Sequence, residues 1–266
     1  MITTDFVPGS PCWLDLGVRD ARAAAAFYGA VFGWRIEPYE PAPDGFGFFQ
    51  LDGRTVGALG PLSGEEARSS WMIYFSTSDA DAATRAVERL GGSVRVPPME
   101  VEGAGRLAQY TDPVGAEFAV WEAAGVRGIE AADEAGTLTW VELCTTDASA
   151  ARGFYRGLFG WETKDVAMPG DSEGTYTLLT PAGVSEERMH GGMVEVPAEY
   201  LQMTGGTPYW HPVFGSDDCD ATVAGVTAQR GTVSMGPEDA PGVGRLAVCA
   251  DPSGAEFVVL TPAPGE

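Results

Sequence analysis

The sequence predicts an α+β chain of four successive units, each a strand, a helix and three further strands. Three observations carry this expectation. The stretch Trp13-Leu14-Asp15-Leu16, Asp20, an Ala-rich run and Phe27-Tyr28-Gly29-Ala30-Val31-Phe32-Gly33-Trp34 is written twice. Its second copy runs from Trp140-Val141-Glu142-Leu143 through Asp147 to Phe154-Tyr155-Arg156-Gly157-Leu158-Phe159-Gly160-Trp161, 127 residues on at both ends. The turn Asp112-Pro113-Val114-Gly115 returns as Asp251-Pro252-Ser253-Gly254, and Trp71 as Trp210, both 139 residues on. Four times a Trp is followed, seven or eight residues later, by an Asp and a helical pattern.

In the first unit, residues 12–17 alternate as a strand does. Asp20 suits a helix N-cap, and Ala23, Ala26, Phe27, Ala30 and Val31 recur at helical spacing. Gly33 is placed to end that helix. Strands are expected near 34–38, 46–51 and 54–60. The second unit restarts at Trp71, with Ser78 or Asp79 capping a helix that carries Ala82, Ala83, Ala86, Val87 and Leu90. Gly91-Gly92 stop it, and strands near 93–96, 106–111 and 117–122 follow. The Ala-, Gly- and Glu-rich stretch 124–137 reads as a linker between domains at 1–123 and 138–266. Small exposed residues there make it the expected site of first proteolytic nicking. The change of offset from 127 to 139 leaves 12 extra residues in the second half, placed around 183–205 as an inserted loop holding His190 and Tyr200.

The 266 residues suit about two domains. A net charge of −22 disfavours nucleic acid and anionic membrane as partners, because both need basic patches. The N-terminus shows no signal peptide, and no apolar run is long enough to span a bilayer. Cys12, Cys144, Cys219 and Cys249 have no CxxC spacing and read as reduced thiols of a cytoplasmic protein, monomeric or homodimeric.

On the duplicated AxxFYxxxFGW segments, the Asp-Pro-x-Gly-Ala turns and the four-unit order, the chain resembles the vicinal oxygen chelate superfamily. That superfamily holds glyoxalase I, extradiol dioxygenases and bleomycin-resistance-type binding proteins. The chain is most similar to its tandem two-domain actinobacterial glyoxalase-like branch. The resemblance implies two bowl-shaped mixed sheets, each built from two βαβββ modules around a ligand cavity. It also implies metal-ligand positions, which fall here on Trp13, Trp71, Trp140, Trp210, Ala119 and Val258. Indole and alkyl groups cannot coordinate a divalent ion, so no metal and no other cofactor is expected.

If those tryptophans face a cavity, so do the residues two away on each strand. Asp15, Glu142 and His190 are thus the catalytic candidates. Trp13, Trp71, Trp140, Trp210, Glu117, Glu256 and Tyr176 are the ligand-binding ones. The competing readings are that the tryptophans pack the core, that the carboxylates pair with arginines at the rim, and that His190 is an ordinary loop residue. His211, next to Trp210, falls on the opposite strand face and reads as structural. Two functions stay open. One is a metal-independent binder of an aromatic or polycyclic small molecule, serving antibiotic resistance or natural-product metabolism. The other is a metal-free isomerase, lyase, hydratase or hydroxylase-like enzyme with a cavity carboxylate as general base.

Overall fold

The computed structural model describes residues 1–39, 45–62, 68–168 and 174–264. Sixteen strands and four α-helices follow the expected order among them. The first half supplies β1 (Pro11–Val18), α1 (Ala21–Phe32), β2 (Arg35–Pro38), β3 (Gly47–Leu51), β4 (Arg54–Pro61), β5 (Ser70–Thr77), α2 (Ala80–Arg89), β6 (Ser93–Val101), β7 (Gly105–Thr111) and β8 (Glu117–Ala123). The second half supplies β9 (Leu138–Thr145), α3 (Ala148–Phe159), β10 (Glu162–Ala167), β11 (Thr175–Thr180), β12 (Gly191–Glu195), β13 (Tyr209–Gly215), α4 (Cys219–Ala228), β14 (Thr232–Ala240), β15 (Gly244–Ala250) and β16 (Glu256–Pro262). Each half writes one eight-stranded mixed sheet. The orders are β2-β3-β4-β1-β5-β8-β7-β6 and β10-β11-β12-β9-β13-β16-β15-β14.

The compact units cut across these halves. One comprises residues 1–13, 73–128 and 140–210; the other comprises 14–72, 129–139 and 211–266. The stretch 124–137 joins the two sheets but is no loose tether. Ala124 and Val126 donate backbone hydrogen bonds to Ala104 O, and Trp121 Nε1 donates to Val126 O. Further on, Glu130 N donates to Thr55 O, Gly136 N donates to Gly215 O, and Arg54 pairs with Glu134. Ile129, Ala131 and Thr137 are buried. A backbone so engaged is a poor protease substrate, which removes the reason for expecting the first nick there.

Each helix starts at an Asp whose carboxylate accepts from the N–H three residues on: Asp20, Asp79, Asp147 and Asp218. Gly33 and Gly160 end α1 and α3 in the left-handed region, at φ 77° and 71°. The buried stripe of α1 is Ala24, Phe27 and Tyr28, whereas Ala23, Ala26 and Ala30 are exposed. The expected face was therefore turned. Counting Ala as apolar hid the deciding residue, a Tyr whose hydroxyl has buried partners.

Those partners form the same chain in each unit. In the first, Trp210 Nε1 donates to Tyr155 OH at 2.8 Å and Tyr155 OH donates to Asp112 Oδ2 at 3.0 Å. Asp112 Oδ1 accepts the N–H groups of Val114, Gly115 and Ala116. In the second, Trp71 Nε1 donates to Tyr28 OH at 3.2 Å and Tyr28 OH to Asp251 Oδ2 at 3.3 Å. Asp251 Oδ1 accepts from Ser253 and Ala255. Burial, then the carboxylate's charge, pushes both tyrosines well above the usual phenol range. Burial likewise raises Asp112, against the lowering effect of its backbone donors.

The expectation that Trp71 and Trp210 line a ligand cavity is corrected here. Both are buried, at 5% and 4% exposure. Trp71 packs on Tyr28, Trp34, Phe49 and Phe214, and Trp210 on Phe75, Tyr155 and Trp161. Relative to Trp13 and Trp140, these two sit one position out of register, and a one-residue shift reverses the strand face. Tyr155→Phe strands the Asp112 oxygen and the Trp210 N–H in the core. It should destabilise the protein by roughly 1–3 kcal/mol, read as a lower denaturation midpoint at unchanged slope.

Candidate functional site

Along β9, Thr139, Val141 and Leu143 are buried on one face, while on the other Trp140 and Glu142 are half-buried between the buried Leu138 and Cys144. Strand β12 pairs in parallel with β9, setting Gly192 opposite Glu142. Strand β11 pairs antiparallel with β12, setting Leu178 opposite Gly192 and Tyr176 opposite Val194. The Tyr176 ring crosses β12 directly over Gly192. A Cβ at Gly192 would lie 2.1–2.2 Å from three atoms of that ring. Glycine is required here because the ring occupies the space of a side chain.

This crossing brings the phenol to β9. Trp140 Nε1 donates to Tyr176 OH at 3.0 Å, and Tyr176 OH donates to Glu142 Oε2 at 2.7 Å. Burial, then the Glu142 charge, pushes the Tyr176 hydroxyl well above its ordinary value, so it stays protonated. Trp140, Tyr176 and Glu142, three of the residues picked out in the sequence, thus form one hydrogen-bonded cluster within the first unit.

The first half does not repeat this cluster. Trp13 and Asp15 share the half-buried face of β1, as expected. Asp15 lies opposite Ala58, and Ala58 opposite Phe48, so the position equivalent to Tyr176 is Phe46. A phenyl ring can neither donate to nor accept from Asp15.

The remaining candidates fall elsewhere. Glu117 is at the surface, its side chain 47% exposed, in an ion pair with Arg95 at 2.8 Å. Such exposed pairs contribute little, and the ligand-binding expectation for Glu117 is corrected accordingly. Glu256 accepts or shares a proton with His211 Nδ1 at 3.0 Å, both largely buried in the second unit. His211 does oppose Trp210 on β13, but both faces of that strand are buried, and the histidine's face carries a carboxylate partner.

His190 stands immediately before β12, where its backbone pairs with Leu179 and Val141, and the extra residues of the second half flank that strand. Its ring is 1% exposed against Trp161, at 5.0 Å between centroids, with Phe75 beyond. Neither ring nitrogen has a hydrogen-bond partner among the described residues. Burial, helped by the N-terminal amine, pulls its pKa down to about 3. An imidazole sealed among aromatic rings cannot reach a substrate proton, which removes His190 as a catalytic base. In the unfolded chain it titrates near 6.5. Between about pH 3 and 6.5 the unfolded state therefore binds the extra proton, and stability falls as pH falls through that window. His190→Met should flatten the acid limb of Tm against pH, removing up to about 1.4 kcal/mol per pH unit of slope.

Groups able to ligate a metal are present as well. Glu142 and Cys144 lie two apart on β9 in the first unit, and His211 belongs to the second. At the ligand positions that the resemblance implies, Trp71 and Trp210 are core residues, and Ala119 and Val258 are buried alkyl groups. No described helix is long and apolar enough to cross a membrane.

Two family models match the chain. A glyoxalase-like domain covers residues 13–121, and the glyoxalase/bleomycin resistance protein/dioxygenase superfamily covers residues 137–259. The anthracycline biosynthesis protein DnrV of Streptomyces peucetius is 36% identical over 97% of this chain and 94% of its own. The chain belongs to the glyoxalase/bleomycin resistance protein/dioxygenase superfamily. A second superfamily relative, CFP32 of Mycobacterium bovis, bears a name that proposes a glyoxylase and is 36% identical over 98% of both chains. Among solved structures, the 2,3-dioxygenase LapB from Pseudomonas sp. KL28 superposes with a TM-score of 0.65 at 15% identity, covering 97% of this chain and 94% of LapB. The Mn(II)-bound glyoxalase from Novosphingobium aromaticivorans gives 0.63 at 18% identity, covering 96% and 82%. At these identities the two structures show a shared fold and nothing of its use.

Proposed function

We propose that this superfamily member binds a planar aromatic or polycyclic small molecule on the face of β9 that carries Trp140 and Glu142, in natural-product metabolism or resistance. The observation that carries this reading is the Trp140–Tyr176–Glu142 cluster. It offers half-buried indole surface beside a fixed phenol and carboxylate, the pairing of apolar area with few polar groups that small-molecule sites use. The second half holds the working site, because Phe46 replaces the phenol in the first. The name of the Streptomyces relative, an anthracycline biosynthesis protein, agrees with a polycyclic aromatic ligand.

Stacking on a desolvated indole contributes about 1–2 kcal/mol. Trp140→Ala should therefore weaken binding of a polycyclic ligand roughly tenfold, at ~1.4 kcal/mol per decade, measured by calorimetry. Unchanged affinity would remove the indole from the site.

Binding does not depend on a metal in this reading. Tyr176 engages the Glu142 carboxylate, and the superfamily's ligand positions hold indole and alkyl groups. Elemental analysis of purified protein should show no stoichiometric zinc, iron, nickel or manganese. A tightly held ion lost in Glu142→Gln or Cys144→Ser would replace this reading with a metal site.

A second reading is favoured by the 2.7 Å contact between Tyr176 and Glu142. In it the carboxylate is a general base in a metal-free proton transfer. Turnover abolished in Glu142→Gln at retained affinity separates it from simple binding.

A further inference from the structure

Tyr176 is a long side chain on a short support. Its hydroxyl reaches across β12 to Trp140 and Glu142, at 3.0 and 2.7 Å. It is the second residue of β11, so only Thr175 precedes it in the ladder. Beneath its ring stands Gly192, which has no side chain to interlock with it. A group in a binding site is of use only when its neighbours hold it to within a fraction of an ångström.

The next residue supplies that support. Thr177 faces the opposite side of β11 and is 2% exposed. Its hydroxyl donates to Asp165 Oδ1 at 2.8 Å and accepts from Arg152 Nη2 at 2.8 Å. Arg152 Nη2 also donates to Asp165 Oδ1, at 2.5 Å. The triangle ties α3, β10 and β11 together one residue from Tyr176. The Thr177 hydroxyl, then the Arg152 guanidinium, hold the Asp165 carboxyl below the usual carboxylate range.

Stability alone does not account for this triangle. Arg152 and Asp165 are 35% and 48% exposed, where ion pairs contribute little. Arg152 Nε is buried with no hydrogen-bond partner among the described residues, which works against the fold. The first copy of the duplicated segment dispenses with all three groups. The offset of 127 puts Ala25 and Pro38 at the positions of Arg152 and Asp165. Gly47, opposite Pro38, stands where Thr177 stands opposite Asp165. That copy carries Phe46 in place of Tyr176 and so has no hydroxyl to aim.

We infer that Arg152, Asp165 and Thr177 are positioning residues for the proposed aromatic site: they pin β11 from the face opposite Tyr176 and so hold its hydroxyl on Trp140 and Glu142. The inference rests on the aromatic-site reading for its effect on binding, and on strand geometry for the rest.

The indole N–H signals of isotope-labelled protein test it by NMR. The Trp140 signal, assigned by its loss in Trp140→Phe, reports the hydrogen bond to Tyr176. Thr177→Val keeps the shape of the side chain and removes the hydroxyl. It should move the Trp140 signal toward its position in Tyr176→Phe and leave the Trp161 and Trp210 signals unmoved. Affinity for 2-(hydroxymethyl)anthraquinone, by calorimetry, should fall roughly threefold to tenfold, the loss of about one hydrogen bond. Thr177→Ser should restore both. Arg152→Met, at a half-exposed position, should act in the same way and replaces Thr177→Val if that variant does not fold. An unmoved Trp140 signal overturns the inference and leaves the aromatic site standing. So does a shift shared by Trp161 and Trp210, because the triangle then serves the scaffold at large. A moved Trp140 signal with unchanged affinity overturns its part in binding. If the probe does not bind, or Trp140→Ala leaves its affinity unchanged, the aromatic-site reading falls. The indole signals alone then decide whether the triangle holds Tyr176.

Discussion

The fold depends on a buried phenol that joins three elements. In each compact unit a helix tyrosine, Tyr155 or Tyr28, takes an indole hydrogen from a strand and gives its own to a turn aspartate. The aspartate uses its other oxygen to hold the turn's backbone N–H groups. Leaving any one of these polar groups unsatisfied in the core would cost more than the net gain from making the bond. Helix, turn and strand are therefore set relative to one another by polar satisfaction, with the surrounding aromatic rings filling the space.

The same chemical logic appears a second time, at half-buried positions of β9. At Trp140, Tyr176 and Glu142 an indole, a phenol and a carboxylate again stand in series. The aspartates of the core end their series on backbone donors. Glu142 has no turn of that kind and sits on a half-buried strand face. One series ends on the backbone of a turn; the other ends on a half-buried strand carboxylate.

Much of the architecture was legible in the sequence because duplication repeats its landmarks. The Asp caps, Gly33, Gly160 and the Asp-Pro turns are local chemistry that the backbone requires wherever it occurs. The superfamily followed from the same residues. What was not legible is orientation. Trp71 and Trp210 resemble Trp13 and Trp140 in sequence context, but one residue of register sends them to the core. His190 falls among the extra residues of the second half, yet the glycines after it begin β12, and Gly192 is the space a tyrosine ring fills from the next strand. That signal, a glycine within an apolar stretch, was present; its partner sixteen residues upstream could only be found from the strand pairing. The pairing of His211 with Glu256 was hidden for the same reason.

The interleaving of the compact units has a consequence for how such a chain can change. Asp112 is encoded in the first copy of the duplicated segment, while Tyr155 and Trp210, which complete its chain, are encoded in the second. The reverse holds for Tyr28, Trp71 and Asp251. The two copies are in effect the subunits of a heterodimer that share one polypeptide. Neither can drift at these positions without the other, and the freedom to diverge is left to positions outside the shared cores. That is where one copy carries Tyr176 and the other Phe46.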